Sequence, residues 1–416
     1  MVPPPPRSPA EAQPALAPSP LSSDAKTKRG ADAVLIAPIR DASIPPGGSV
    51  EIVSEQRLAR ELDEGRFDSG VQLVRRLAAE PDRVRERLAA CRRLIELRPG
   101  EPMALDLLYE AAVADSNLAY AGALDHVRRA FIGEAWPAPA LSMQEEQPDR
   151  VRLIVFGTPA VALEALEVVW EGASHVFKQD LSAYGVTGIE RVPFAAPTPV
   201  ARVYAAAARS LGIPAPLYQR RVPGEITIGL ALLAQPSVIV TGEVKRTSPE
   251  FAYHLGVMLA AAMPGHALLC GSSERRATSV LRALAMAFGP PSATRSGLTS
   301  VANLAEVLWE SLSARAQRHL KELCRRPEQL DYALAMGEVR RATRRAGLFV
   351  SGDLRVAARE VAAELEFPAD RGLAAAAAAC PEIADLVVLA TSPEYAEARW
   401  QPRRPASRPP DGSWFA

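Results

Sequence analysis

Cysteine, histidine, lysine and aromatic residues are all scarce in this chain of 416 residues, and net charge is absent. The four cysteines, Cys91, Cys270, Cys324 and Cys380, stand far apart with no CxxC pair. That spacing excludes a zinc knuckle and a thioredoxin-type motif and leaves them to pack as small apolar groups. His126, His175, His254, His266 and His319 are the whole stock for any metal site or triad. Lysine occurs only at 26, 28, 178, 245 and 321. The other basic residues are arginine, which with the many alanines suggests a GC-rich bacterial genome and carries no functional meaning. Lys+Arg and Asp+Glu both number 48, which argues against a dedicated nucleic-acid binder, whose affinity rests on neutralising phosphates. No apolar run approaches the ~18 residues of a membrane span. The best stretches, Ile226–Val240 and Leu255–Leu269, are broken by Pro236 and Pro264. The opening MVPPPPRSPAEAQPALAPSP has no apolar core of a signal peptide. The expectation is a soluble cytoplasmic protein.

What is present is a chain with 48% hydrophobic residues, long enough for two or three domains and a sizeable core. Proline is unevenly spread: of 37, eleven fall in the first fifty residues. Residues 1–50 therefore read as a disordered Pro-rich tail, in which only Ala33–Ile39 is apolar enough to dock as a strand. Residues 401–416 read as a flexible tail, and 136–150 as a linker.

From 54 to 135 the pattern is helical. LARELDEGRFDSGVQLVRRLAAE predicts two helices split at Gly65–Asp68, and the stretch from Val84 to Ile132 predicts three more. Leu88, Cys91, Leu94 and Ile95 fall on one helical face. Arg98–Pro102 is a turn, after which Leu105, Leu108 and Ala112 resume the pattern. The stretch LIELRPGEPMALDLLYEAA resembles a tetratricopeptide-type helical hairpin. No regular period of 34 residues accompanies it, and an ordinary helical bundle accounts for the pattern equally well.

From 151 to 400 the chain mixes helices with a little β structure. Helices are predicted over Val161–Trp170, Ala201–Leu211, Phe251–Met263, Arg275–Phe288, Ser300–Leu312, Ala314–Cys324, Tyr332–Phe349 and Asp353–Ala363. Glu225–Leu230 and Pro236–Thr241, rich in Ile, Val and Thr, read as a hairpin or paired strands. The fold class expected is α+β and mostly helical: an N-terminal α-hairpin module, then a mainly helical domain with a small β-sheet.

The segment Glu225–His266 reads EITIGLALLAQPSVIVTGEVKRTSPEFAYHLGVMLAAAMPGH. It resembles the core of the gluzincin metallopeptidases of the CAAX-prenyl-protease and HtpX type, with their pattern ELxFVLGHELGHxxxGH. Glu250, Phe251, Tyr253, Leu255, Gly256, Leu259, Gly265 and His266 fit that pattern, and the resemblance extends to about Ala363. In the family, two histidines four apart bind zinc, and the glutamate after the first activates water. Here those positions hold Val257, Met258 and Ala261. A third family ligand, a glutamate on a later helix, aligns near Arg340, and the usual aspartate aligns at Arg344. Glu338 is close but two residues out of register. Cationic side chains at such positions oppose a metal ion. The resemblance thus implies a pseudo-peptidase, degenerate over 151–400, with no catalytic residue, no cofactor and no metal ligand. His254 and His266 do not rebuild a site, because twelve residues separate them by more than three helical turns. His254 is expected to pack on the apolar side. His266 is expected to cap a helix end, where an imidazolium is favoured.

The remaining candidates are weaker in pattern. Trp170–Arg191 collects His175, Asp180 and Glu190 as acid–base groups, with Gly185, Thr187 and Gly188 able to shape a phosphate turn. No GxGxxG, GKS/GKT or GxSxG motif accompanies them. Arg340/Arg344 and Arg341/Arg345 are like-charged pairs one helical turn apart, which require acidic partners such as Glu338 or else form a docking surface. The reading that follows is a non-catalytic scaffold that binds protein partners through its helical module, with no membrane, nucleic acid or small-molecule substrate expected. The alternatives are a hydrolase or other enzyme built on the Trp170–Arg191 loop, or a peptide groove using Val238–Thr241 as an edge strand for β-augmentation.

Overall fold

The computed structural model describes residues 54–134, 138–139, 141, 148–290 and 299–400. The Pro-rich stretch 1–50, the run Ala33–Ile39, the tail 401–416 and most of 136–150 lie outside the described residues. The first five helices are α1 (Glu55–Asp63), α2 (Phe67–Leu77), α3 (Val84–Leu97), α4 (Pro102–Ala114) and α5 (Leu118–Phe131). α1, α4 and α5 start at side-chain acceptors, whereas α2 and α3 start without one. Ser54 accepts from the Arg57 amide and Asn117 from that of Tyr120, while Pro102 opens α4 at a position whose amide needs no partner. Most of the predicted stripe is buried: Cys91, Leu94, Ile95, Leu105, Leu108 and Ala112 are each at most 2% exposed, while Leu88 at its edge is half-buried. α1–α4 pack principally on their sequence neighbours, while α5 packs on α4 and also on α15–α18.

After α6 (Pro148–Phe156), α7 (Val161–Ala173) and α8 (Pro199–Leu211) comes the only sheet among the described residues. Its strands are β1 (Leu217–Arg220), β2 (Thr227–Ala231) and β3 (Ser237–Thr241), in the order β1–β3–β2. β2 and β3 pair antiparallel as expected, with Thr227 opposite Thr241 and Ala231 opposite Ser237. β1 lies parallel to β3 on its other side, Leu217 facing Val238. This corrects the expectation of an edge strand at Val238–Thr241: β3 is central, both its backbone edges are engaged, and it cannot accept a peptide by β-augmentation.

The remaining helices are α9 (Pro249–Ala261), α10 (Pro264–Gly271), α11 (Glu274–Phe288), α12 (Thr299–Ser311), α13 (Ala314–Leu323), α14 (Tyr332–Ser351), α15 (Leu354–Glu364), α16 (Gly372–Ala379), α17 (Pro381–Ala390) and α18 (Pro393–Trp400). The fold is therefore mostly helical α+β with one small sheet. The helix expected over Phe251–Met263 is α9, and a further helix that the sequence reading does not include, α10, turns away from it by 107° at Pro264. No single helix is long and apolar enough to cross a membrane.

Two hydrophobic cores organise these elements. The larger contains side chains of α1–α5, one face of the sheet (Leu217, Val238, Val240), α9, the C-terminal half of α14, and α15–α18. The second lies among α7, α10–α13 and the N-terminal half of α14. α14 thus threads both, with Ala335 and Val339 in one and Ala346 to Val350 in the other. The larger core runs across the stretch 136–150: Tyr120 on α5 donates a buried hydrogen bond to the Thr391 carbonyl after α17, at 2.7 Å. A small third cluster, including Val186, Tyr218 and Ile239, covers the opposite face of the sheet.

The Tyr120 hydroxyl is buried and has a buried acceptor. Tyr120→Phe removes the donor and orphans the carbonyl, so it should lower unfolding free energy by about 1 kcal/mol in denaturant titration. Because the residue joins α5 to the helix α17 end within one core, the loss should appear in a single transition rather than in a separate early phase.

Candidate functional site at the seam of α9 and α14

The helices that carry the peptidase-like pattern are α9 and α14, and they pack against each other more extensively than any other pair of elements among the described residues. Ser248 caps α9 by accepting from the Phe251 amide, and Asp331 caps α14 by accepting from that of Leu334. Glycine sits on both sides of the seam. A Cβ at Gly256 would lie 2.7 Å from the Ala346 carbonyl oxygen, and one at Gly347 would lie 2.6 Å from the Tyr253 ring and 2.9 Å from the Val257 side chain. The two backbones therefore approach as closely as an absent side chain permits.

Val257 is spent in this contact, Met258 packs on the larger core, and Ala261 is 3% exposed. On α14, Arg344 is only 6% exposed and meets Glu364 through two nitrogens, Nε to Oε2 at 3.1 Å and Nη2 to Oε1 at 2.9 Å. Glu382 adds a contact at 4.0 Å. Arg345 is held by Asp385 and Arg341 by Glu338. Arg340 is exposed. Glu338 does engage an arginine of the cluster, as expected, but the heavier partners are Glu364 and Asp385, on α15 and α17, which no local pattern reveals. Among the described residues, no group of three or more His, Cys, Asp or Glu could hold a metal ion.

The two histidines of the segment depart from their expected roles. His254 is exposed on α9 and pairs with Glu360 of α15 at 3.1 Å instead of packing in apolar surroundings. That contact, with Arg359, holds the Glu360 carboxyl below the usual glutamate range. His266 is buried in the first turn of α10, and its Nδ1 donates to the Ala260 carbonyl near the end of α9 at 2.9 Å. It does satisfy a helix-end carbonyl, but as a neutral imidazole, because burial drives its pKa down to about 4. The adjacent cleft, about 280 Å³, is lined by Arg152, Phe156, Glu167 and Glu338 among others. Burial raises the Glu167 carboxyl, with Glu171 adding to the effect.

The polar groups of Trp170–Arg191 do not converge. His175 is exposed and its closest polar partner is Ser311 on α12, at 3.4 Å. Glu190 instead accepts from the Thr187 amide and hydroxyl, at 2.7 and 3.0 Å. The turn that could have taken a phosphate is thus filled by the chain's own carboxylate in a capping box. No hydrogen bond or ion pair joins His175, Asp180 and Glu190. The thiols of Cys91, Cys270 and Cys324 are pushed up to about 12 by burial, which removes them as nucleophiles.

No family model, curated protein or solved structure matches this chain.

Two outcomes are expected. Gly256→Ala gains helix propensity but drives a methyl into the α14 backbone. The net result should be a destabilisation of about 1–3 kcal/mol by chemical denaturation. In the second, His266 binds a proton readily when unfolded, near pH 6.5, but only near pH 4 when folded. Stability is then complete above pH 6.5 and falls as pH drops from there towards 4, by up to about 3 kcal/mol. Denaturant titrations at pH 7 and 5 should show that loss, and His266→Asn, which can still donate to Ala260, should reduce it.

Proposed function

We propose that the chain is a non-catalytic scaffold for protein partners, built on a metallopeptidase-like core whose metal-binding positions have become packing and ion-pair positions. The observation that carries this reading is the state of Val257 and Arg344. Val257 fills the close approach at Gly347, and Arg344 is buried against Glu364. A metal at that seam would have to displace a helix contact and sit beside an arginine, and both oppose it.

Support for a docking role comes from α1–α5. Their serial packing leaves a groove of about 430 Å³ with Ala59, Leu73 and Ala90 in its wall and Glu55, Arg83 and Arg93 at its margins. An apolar floor with a charged rim suits a protein segment. A cytoplasmic location belongs to the same proposal. It is supported by four cysteines that are all unpaired thiols, the state a reducing compartment maintains.

Elemental analysis of the purified chain after dialysis tests the first half: zinc should be far below one ion per chain, and stoichiometric retained zinc overturns the reading. Affinity purification with mass spectrometry tests the second. A partner recovered with the native chain should be lost with Ala59→Glu in the groove and kept with Leu153→Glu, a residue exposed on α6 away from the groove. Equal recovery with both variants overturns the assignment of the groove.

A further inference from the structure

The cleft beside His266 holds two acceptors that the fold leaves unused. His266 is only 4% exposed, and its Nδ1–H is spent on the Ala260 carbonyl. The imidazole is neutral, so Nε2 carries a lone pair and no proton. Nε2 has no hydrogen-bond partner among the described residues. Unlike the ring nitrogens of His126, it is not sealed off, and the residue lines the cleft. The second acceptor is Glu167 on α7, half-buried and in no hydrogen bond or ion pair among the described residues.

Close packing brings the two together. Leu163 and Glu167 lie one turn apart on α7, and α10 starts against that face. A Cβ at Gly265 would stand 2.6 Å from the Leu163 carbonyl oxygen and 3.6 Å from the Glu167 Cβ, and His266 is the next residue. Arg152 on α6 acts through space on both His266 and Glu167. The cleft encloses about 280 Å³, with Leu153, Phe156, Leu163 and Met263 as its apolar wall. The Phe156 ring meets that of His266 edge-on, with 6.2 Å between centres. Asp149 and Glu338 also line it, so that among the described residues the acids of the wall outnumber its one cation, the exposed Arg152. No group of three or more His, Cys, Asp or Glu among the described residues could hold a metal ion, which leaves an organic cation as the ligand these acceptors suit.

We propose that this cleft binds a small primary alkylammonium, its N–H groups donating to His266 Nε2 and the Glu167 carboxylate, and its hydrocarbon body lying along Leu153, Phe156 and Leu163. An ammonium carries three donors and one positive charge. It satisfies the lone pair and the unpaired carboxylate at once, and its bond to the carboxylate is of the stronger, charge-assisted kind. A carboxylate ligand offers no donor and meets like charge. An alcohol donates once and leaves the charge of Glu167 unmatched. The apolar wall favours a body of several methylenes, and the long exposed side chain of Arg152 can keep its guanidinium in water. This small-molecule site goes beyond the scaffold reading and does not rest on it.

The test uses hexylamine, hexanol and hexanoate on the full chain at pH 7, where the amine is protonated. Calorimetric titration reads affinity, and nitrogen-15 NMR of the imidazoles, of which the chain has five, reads His266 Nε2 directly. Hexylamine should bind at one site and shift the Nε2 resonance, while hexanol and hexanoate at equal concentration should do neither. Glu167→Gln should weaken hexylamine about tenfold, as the loss of one charge-assisted contact does. Ala160→Phe, which narrows the cleft, should abolish binding, and Thr158→Trp carries the same test if that variant fails to fold. Hexanol binding as tightly as hexylamine, hexylamine binding with Nε2 unmoved, or binding unchanged by Glu167→Gln or by the narrowed cleft would each overturn the proposal.

Discussion

The close contact of α9 and α14 at Gly256 and Gly347 is the constraint on which the rest of the fold depends. Helices normally keep 8–10 Å between axes because side chains intervene. At Gly256 the absent side chain lets the α9 backbone meet the Ala346 carbonyl of α14 directly, while at Gly347 the α14 backbone receives the Tyr253 ring and the Val257 side chain, so sliding one helix along the other is resisted by backbone on one side and by wedged side chains on the other. α14 is also the one helix that enters both large cores. Fixing it against α9 therefore fixes the sheet, which lies on α9, relative to the α10–α13 group and to the N-terminal array.

That geometry explains the arginines. A helix held so tightly cannot roll to bring Arg344 to solvent, so the charge must be neutralised where it stands. Glu364 does this through two parallel nitrogen–oxygen contacts, the arrangement in which a guanidinium and a carboxylate pair best. Asp385 serves Arg345 from α17. The zero net charge of the chain is thus reflected at close range, in pairs that tie α14 to the helices that follow it. Such pairs contribute little net free energy compared with apolar packing, but removing one partner leaves a charge stranded.

How far this was legible in the sequence varies by element. The helices α1–α5, α7–α9 and α11–α15 announce themselves, because apolar residues recur at helical spacing and side-chain caps stand at the starts of several, α8, α9, α11 and α13–α15 among them. Helices α16–α18 do not: GLAAAAAA offers no contrast between faces, so a period cannot be read from it. α10 is missed beside α9, since Pro264 ends the one periodic run and can open a helix as readily as it can end one. The four residues of β1 include Gln219, buried and donating to the Gly242 carbonyl at 3.5 Å, and lack the alternation that marks a strand. Without β1, β3 looked like an edge. The seam itself was half legible. Gly256 and the substituted positions Val257 and Ala261 stood out against the family pattern. The partners of the arginines lie 20 and 40 residues away in sequence, and only the folded chain brings them together.

Arg344 and Arg399 pose the same electrostatic problem and solve it differently. Both are 6% exposed, and both lie against α14, one within it and one at its C-terminal end. Arg344 has carboxylates on two neighbouring helices; among the described residues Arg399 has one carbonyl oxygen, that of Phe349. A carbonyl dipole offsets only part of the cost of desolvating a full charge. If position 399 served packing alone, an apolar side chain of similar volume would stabilise the fold more, as replacements of buried ion groups show in general. What Arg399 supplies instead is a side-chain hydrogen bond that ties α18 to the end of α14 at the Phe349 carbonyl, across fifty residues of sequence.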